Sequence, residues 1–596
     1  MKTVVAIARL IAIAAVAASC LAGRPADAAT YYWDNNGATD GFGSAGGTWG
    51  AGPGANLWTS SSAGNIAVAG FTTTTSDDLN FGTTVDGLAT GTITLSAGRS
   101  AGTMTVGSTS GIVTLAGSTI TYGASPVITV NGSAQLAHGS NIAGAATSLT
   151  KNGTGLLNSS SVSSYSGATV LNDGTFQVAT FANANASSSI GRPSGDSTAA
   201  TFLVLNGGTL RKVGGTSSST NRLFTLGGSS SIESGTGNTL DFTNTGSIAA
   251  TGAAARTLTL AGVGTGVGSL APNLNDATGG GGVVSLVKNG TGTWTVSGAS
   301  SNFSGGTTVT AGLLTMGSTS ALGSTSGQLT VNGGTLNMAG FNLTVGNLTG
   351  SGGTISGTAG GTRTLTIGQG NGTGGNFQGL IANGSGGTTA LTKIGTGTIT
   401  LAGTNTYTGN TTISAGTLLL NGTHTGGGLY TLSSNATLGG FGSTASALSV
   451  SGIIAPGNSI DTLDTGTVTW NGAASAGSAT DWVFELGASD TADLLNITGD
   501  FNGNTGGGSA FRFNFAGSTH QGTFDLVTWS GNTTFVSPNS EFTYTNLGGG
   551  NTGSFQFGGV GNKTLQFVAV PEPAAMAIVG AGLAILGFRL ARGRKV

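Results

Sequence analysis

Cysteine, charge and carboxylates are scarce in this chain. Cys20 is the only cysteine in 596 residues, and it stands in an N-terminal apolar leader. Beyond that leader no disulfide can form, so stability must come from backbone hydrogen bonds and apolar packing. Charged residues make up 7% and the net charge is -2. No basic surface exists to draw nucleic acid, because seven of the nineteen Lys and Arg residues lie at the chain ends. From 277 to 460 there is no Asp or Glu. Glycoside hydrolysis needs two carboxylates about the bond, and a lyase needs acids holding a cation plus a base, so this stretch cannot run either chemistry alone. Gly-rich matches to phosphate loops carry nothing where 112 residues are glycine, and no Gly-Lys-Ser/Thr follows them.

That much glycine would point to disorder, but 37% hydrophobic residues and a mean hydropathy of +0.19 argue against a solvated coil. What is present is a repeated unit. LTKNGTG, LVKNGTG and LTKIGTG begin at Leu149, Leu286 and Leu391. An aromatic follows Lys151, Lys288 and Lys393 by fourteen or fifteen residues, as Tyr165, Phe303 and Tyr407. Nine residues further stand Gly174, Gly312 and Gly416. Leu157, Trp294 and Ile399 come six residues after each lysine; Leu171, Val309 and Ile413 precede the later glycine, and Phe176, Leu314 and Leu418 follow it. Around these points apolar residues alternate with Thr or Ser, which is the period of a strand, and glycine pairs supply the turns. One such unit cannot bury its apolar face alone, whereas stacked coils can, so the fold expected is all-β, a parallel, right-handed β-solenoid. The first copy carries Ser159 where the others have Val296 and Leu401, and its coil should be looser.

The succession of KNGTG, aromatic-Ser/Thr-Gly and Gly-Thr-Leu resembles the autotransporter-associated β-strand repeat of large bacterial surface proteins. Ile454-Ala455-Pro456-Gly457-Asn458-Ser459-Ile460 is similar to the APGNSIGTL segment that follows such repeats, with Asp461 in place of glycine. The opening TYYWDNNG with Trp49 and Trp58, and the region around Phe484-Glu485-Leu486 and Asp493-Leu494-Leu495, fit the same resemblance. It implies a secreted β-solenoid and no particular activity. Passengers of that family are followed by a membrane barrel; the roughly thirty residues after Phe567 cannot supply one, so a different export route is expected.

Both ends read as addresses. Lys2 and Arg9 flank the apolar run Leu10 to Ala18, and Ala26-Asp27-Ala28 offers a cleavage site at Ala26 and Ala28. The competing lipoprotein reading would acylate Cys20, after a poor lipobox at Ala17-Ala18-Ser19. At the other end Pro571-Glu572-Pro573 precedes an apolar run over 574–588 and a basic tail of Arg589, Arg592, Arg594 and Lys595. Fifteen or sixteen residues reach about 24 Å, short of a ~30 Å bilayer core. An ordinary tail anchor is one reading. The order of motif, short hydrophobic helix and basic tail closely resembles the PEP-CTERM sorting domain of Gram-negative bacteria over 570–596. That resemblance implies transient inner-membrane insertion, processing at the motif by an exosortase-type enzyme, and a final place at the cell surface or in an extracellular polysaccharide matrix.

The organisation expected is a signal peptide (1–28), a cap (29–90) with Trp33, Trp49 and Trp58 as its plug, the solenoid (91–450), a C-terminal β cap region (451–569) and the sorting signal (570–596). Trp33, Trp49 and Trp58 could instead stack on sugars. The repeat lysines read as turn-edge residues that discourage edge pairing. His138, His424 and His520 read as isolated surface or turn histidines. A calcium site near Asp490, Asp493 and Asp500 is weighed against solvated loop carboxylates, which are favoured. No catalytic, cofactor-binding or metal-ligating residue is assigned. The function expected is that of an exported, non-enzymatic structural protein of the surface or matrix, with extracellular polysaccharide as its partner. Two rivals stand beside it: an adhesin whose specificity lies in 181–285 or 470–560, and a polysaccharide-active enzyme drawing on the nine carboxylates from Asp461 to Glu541.

Overall fold

The computed structural model describes residues 28–50, 57–66, 72–143, 148–193, 199–214, 216–457, 459–472, 481–504 and 511–572. The expected signal peptide up to Asp27, including Cys20 and Ala26, lies outside these residues, as do Pro573, the run 574–588 and the basic tail. The chain divides into two compact units, Met1–Asn302 and Phe303–Val596. Both are parallel β-solenoid, with about 17 turns between them. Among the described residues no helix is long and apolar enough to cross a membrane.

In the first unit a ten-stranded sheet runs from Thr30–Trp33 through Asp78–Phe81, Thr103–Val106 and Val127–Val130 to Ala249–Ala250. Its register stacks like on like: Leu79, Met104, Ile128, Lys151, Leu171, Leu205, Leu226 and Ala250 form one inward column. All eight are buried, the lysine included. A one-residue slip would turn every one of these side chains outward, so the alternation in sequence sets the register. The start of the unit is closed by the short strand Trp58–Thr59, which pairs antiparallel with Thr30–Trp33. Trp58 packs edge-on against Trp33 at 5.1 Å and Trp49 at 5.3 Å. All three rings are 0% exposed, which suits a plug and leaves no face for a sugar.

The second unit repeats the scheme. An eight-stranded parallel sheet leads from Leu343–Val345 to Phe501–Gly503, with Leu365, Leu391, Thr411, Tyr430, Leu448, Val468 and Phe501 in one buried column. A second sheet carries Thr404–Asn405, Thr423–His424, Ser443–Thr444, Thr462–Thr465, Leu494–Ile497 and Gly522–Trp529 in parallel. It ends on Thr564–Pro571 and Asn551–Gly558, both antiparallel. Switching direction covers the last parallel coil without offering another parallel template, which is how an open solenoid end is blunted.

Candidate functional site

The nine apolar residues of the three repeat copies are all 0% exposed. Tyr165, Phe303 and Tyr407 are equally buried, and the two tyrosine hydroxyls lie 2.6 Å and 2.7 Å from Thr169 and Thr411. The repeat lysines correct the turn-edge reading. Lys151, Lys288 and Lys393 sit at the turns but are 0% exposed. Lys151 Nζ donates to Asn152 O (2.9 Å), Gly153 O (2.6 Å) and Asp173 O (3.2 Å). Lys393 does the same with Ile394 O (2.8 Å), Gly395 O (2.9 Å) and Ala415 O (3.1 Å). Lys288 reaches Asn289 O (3.0 Å) and Gly290 O (2.7 Å).

The cause is local. The glycine two residues on has a positive φ, +76° at Gly153 and +68° at Gly395, and this left-handed residue turns the corner carbonyls back toward the core. An ammonium offers three donors, and Lys151 and Lys393 use all three, the third on the next coil. Burial pulls all three lysines down to about 8, so each is still charged at neutral pH. The motif is therefore a buried Lys-x-Gly clamp between coils. It recurs where no repeat copy was read: Lys212, also 0% exposed, donates to Val213 O at 2.7 Å and Gly214 O at 3.2 Å.

Two of the three histidines are core residues, which corrects their surface reading. His138 and His424 are 0% exposed. His138 Nδ1 lies 3.0 Å from Ser140 O, and its Nε2 lies 3.0 Å from Tyr122 Oη. A carbonyl only accepts, so Nδ1 carries the proton and Nε2 accepts from the tyrosine. His424 is the mirror case, with Nε2 donating to Tyr407 O at 2.8 Å and Nδ1 accepting from Tyr430 at 3.0 Å. Both rings are neutral connectors. His520 is exposed and meets Leu486 O at 2.9 Å. In register, Ser159 is stacked between His138 and Val178, so the small residue of the first copy stands beside an imidazole that fills its share of the core.

Burial lowers the His138 imidazole from its ordinary value of 6.5 to about 4. The unfolded chain then binds the extra proton between these values, so His138 costs stability as pH falls through that window. Wild type is expected to lose about 2 kcal/mol relative to His138→Leu between pH 7 and pH 5, measured as the difference between their urea unfolding free energies; a constant difference would contradict the neutral assignment.

The carboxylates weighed for calcium do not share a task. Asp493 is 2% exposed, which corrects its placement in a solvated loop, and it accepts from the amides of Asp461 (3.1 Å) and Glu485 (2.8 Å). Burial pushes it up to about 7. Asp490 and Asp500 accept instead from the amides of Thr523 (3.1 Å) and Asn532 (2.7 Å). Among the described residues no three acidic or histidine side chains are grouped to hold a metal ion.

One open groove lies on the second unit, on the outer face of the sheet that begins at Thr404, with polar groups set in a lining that is mostly carbon. Its register aligns Thr423, Ser443, Asp464, Asn496 and Thr528 in an outward column. The groove encloses about 430 Å³ over Thr423, Ser443, Asp464 and Asn496, with Thr425, Ala445 and Thr498 along its other side. Asn496 is held on both sides, donating to Asp464 Oδ1 at 2.7 Å and accepting from Thr528 Oγ1 at 2.9 Å. The floor contains the buried His424. The sequence singles out His424 only as a surface or turn histidine and Asp464 only as one of nine carboxylates, and it does not bring the groove together, because its members lie 20 and 32 positions apart and meet only through the coil register.

Of the three residues expected to form a sorting motif, Pro571 ends the final strand opposite Asn551, and Glu572 is exposed, its amide donating to Gly550 O at 2.9 Å. The motif thus begins where the last strand of the described fold stops. Comparison with known proteins bears on the repeats. Residues 149–178, 286–316 and 391–420 match the passenger-associated-transport-repeat family. A stretch of 135 residues is 45% identical to an "Adhesin BmaC autotransporter" of Brucella suis biovar 1 (strain 1330). That stretch is 22% of this chain and spans only 4% of the relative. The three units read from lysine, aromatic and glycine spacing are thus passenger-type transport repeats set in a β-solenoid.

Proposed function

We propose that this chain is an exported, non-enzymatic surface protein whose solenoid serves adhesion, at the cell or within an extracellular polysaccharide matrix. The observation that carries the reading is the match of three repeats to a family of autotransporter passengers. The partial likeness to an adhesin favours adhesion over a purely structural rod. The residues add the physical means: outward columns of Thr, Ser and Asn present the same hydrogen-bonding groups coil after coil, and repetition turns weak contacts into avidity.

For the route, the leader with its site at Ala26 and Ala28 takes the chain out of the cytoplasm. The PEP-CTERM-like tail then holds it in the inner membrane through 574–588 until an exosortase-type enzyme acts at Pro571-Glu572-Pro573. The exposed Glu572 at the very end of the last strand suits this, because fraying of the terminal pairing of Pro571 with Asn551 and of Glu572 with Gly550 opens the segment to a protease without unfolding the solenoid. Export is tested by labelling intact Gram-negative cells that express the full chain with a membrane-impermeant antibody raised against the purified chain. Labelling of whole cells or of the shed matrix is expected; labelling only after the outer membrane is opened would sink the surface assignment.

A further inference from the structure

We propose that the groove over Thr423, Ser443, Asp464 and Asn496 is a binding site for an uncharged polysaccharide strand. This rests on the adhesion reading and gives it a place and a ligand class. The volume, about 430 Å³, falls in the range of sites that take small ligands, roughly 300 to 1,000 Å³. Its lining sets the hydroxyl, amide and carboxylate groups of Thr, Ser, Asn and Asp464 among a larger area of methyl and methylene carbon, in rungs set by the ~4.8 Å spacing of parallel strands. Such an array matches a polyhydroxylated chain laid across the rungs.

Charge narrows the class. Among the described residues Asp464 is the only charged side chain lining the groove, and no Lys or Arg does. A uronic-acid polymer would meet a carboxylate with no counter-charge, whereas sugar hydroxyls can donate to it. A protein partner is less suited, since hot spots use Trp, Tyr or Arg seated in apolar pockets, and the lining here is Thr, Ser, Asn, Asp and Ala above a buried histidine. The site is also built in advance. Asn496 is locked between Asp464 and Thr528. Asn496 therefore has little side-chain entropy left to lose on binding, and beneath the sheet His424 stacks on Tyr407 at 4.1 Å and bonds Tyr430. One carboxylate cannot supply the acid and base of glycoside hydrolysis, so the groove binds and releases its ligand unchanged.

The test is affinity electrophoresis of the purified mature chain through gels holding dextran, a soluble β-glucan or polygalacturonate. Thr425→Trp fills the groove from an exposed position, where folding is not at risk, and Asn496→Leu removes the central amide. Retardation by at least one neutral polymer is expected, weakened tenfold or more in both variants, with none by polygalacturonate. Retardation that survives Thr425→Trp, or that is as strong with polygalacturonate, would overturn the proposal. So would absence of retardation by both neutral polymers; if cells are still surface-labelled, that result removes the groove and leaves the exported adhesion reading standing.

Discussion

Trp482→Ala is expected to cost about 3 to 5 kcal/mol and to open the late coils of the second unit. Trp470 and Trp482 stack at 3.5 Å with planes 10° apart, and Phe513 packs edge-on to both, at 5.5 Å and 6.1 Å. Both tryptophans are at most 1% exposed. In a solenoid each coil is supported mainly by its neighbours, so a cavity at this point is felt by Phe511–Asn514 and Phe542–Thr545, which continue the stack. Hydrogen exchange should show those strands losing protection while the first unit keeps its own. Trp482→Phe should behave differently. The indole Nε1 is buried with no hydrogen-bond partner among the described residues, so phenylalanine gives up ring area but also relieves an unsatisfied donor. Its cost should stay under about 1.5 kcal/mol; equal losses for both variants would show that the stacked area is not what holds these coils.

Lys393→Met is expected to destabilise its coil, by up to about 3 kcal/mol. Two effects oppose each other. Burying the ammonium is costly, as its pKa lowered to about 8 shows, and methionine removes that cost. Against this, Ile394 O, Gly395 O and Ala415 O lose a charged donor at a partly buried corner, and each orphaned acceptor there costs about 1 kcal/mol, the low end of the range for buried groups. Three of them outweigh the relief. Lys393→Arg should not rescue, because a planar fork does not direct its donors at three carbonyls converging on one point. Gly395→Ala should fail for the same corner, since its φ is +68° and a Cβ would lie 2.1 Å from Gly368 O. Thermal unfolding of the three variants checks this, with a Lys393→Met midpoint equal to wild type as the contrary result.

The apolar framework was legible in sequence because it obeys a period of two. Residues such as Leu157, Phe176 and Leu418 were placed inward by alternation alone, and inward they are. The same parity carried information that residue type obscured. His138 follows Leu136 by two and shares its face, yet an isolated histidine among Gly, Ser and Thr reads as solvated. The lysines misled for a related reason: a cation at a glycine turn suggests solvent, and only the left-handed glycine two residues later signals that carbonyls await it inside. Lys-x-Gly is that signal, and it would also have found Lys212. The groove was out of reach by any local rule. Asp464 and Asn496 stand side by side because a chain segment of 32 residues brings the strand back in register, and the length of each coil is set by loops whose excursions carry no periodicity.

The central claim is export followed by release from the membrane, and intact-protein mass spectrometry of surface, matrix and inner-membrane fractions from a host that processes such tails tests it most directly. A mature chain beginning near Ala29 and ending near Pro571 is the expected result, since both cuts then fall just outside the strands from Thr30 to Pro571. A functional pool still ending at Val596 would contradict it, and would make this solenoid a membrane-held protein whose groove never reaches the matrix.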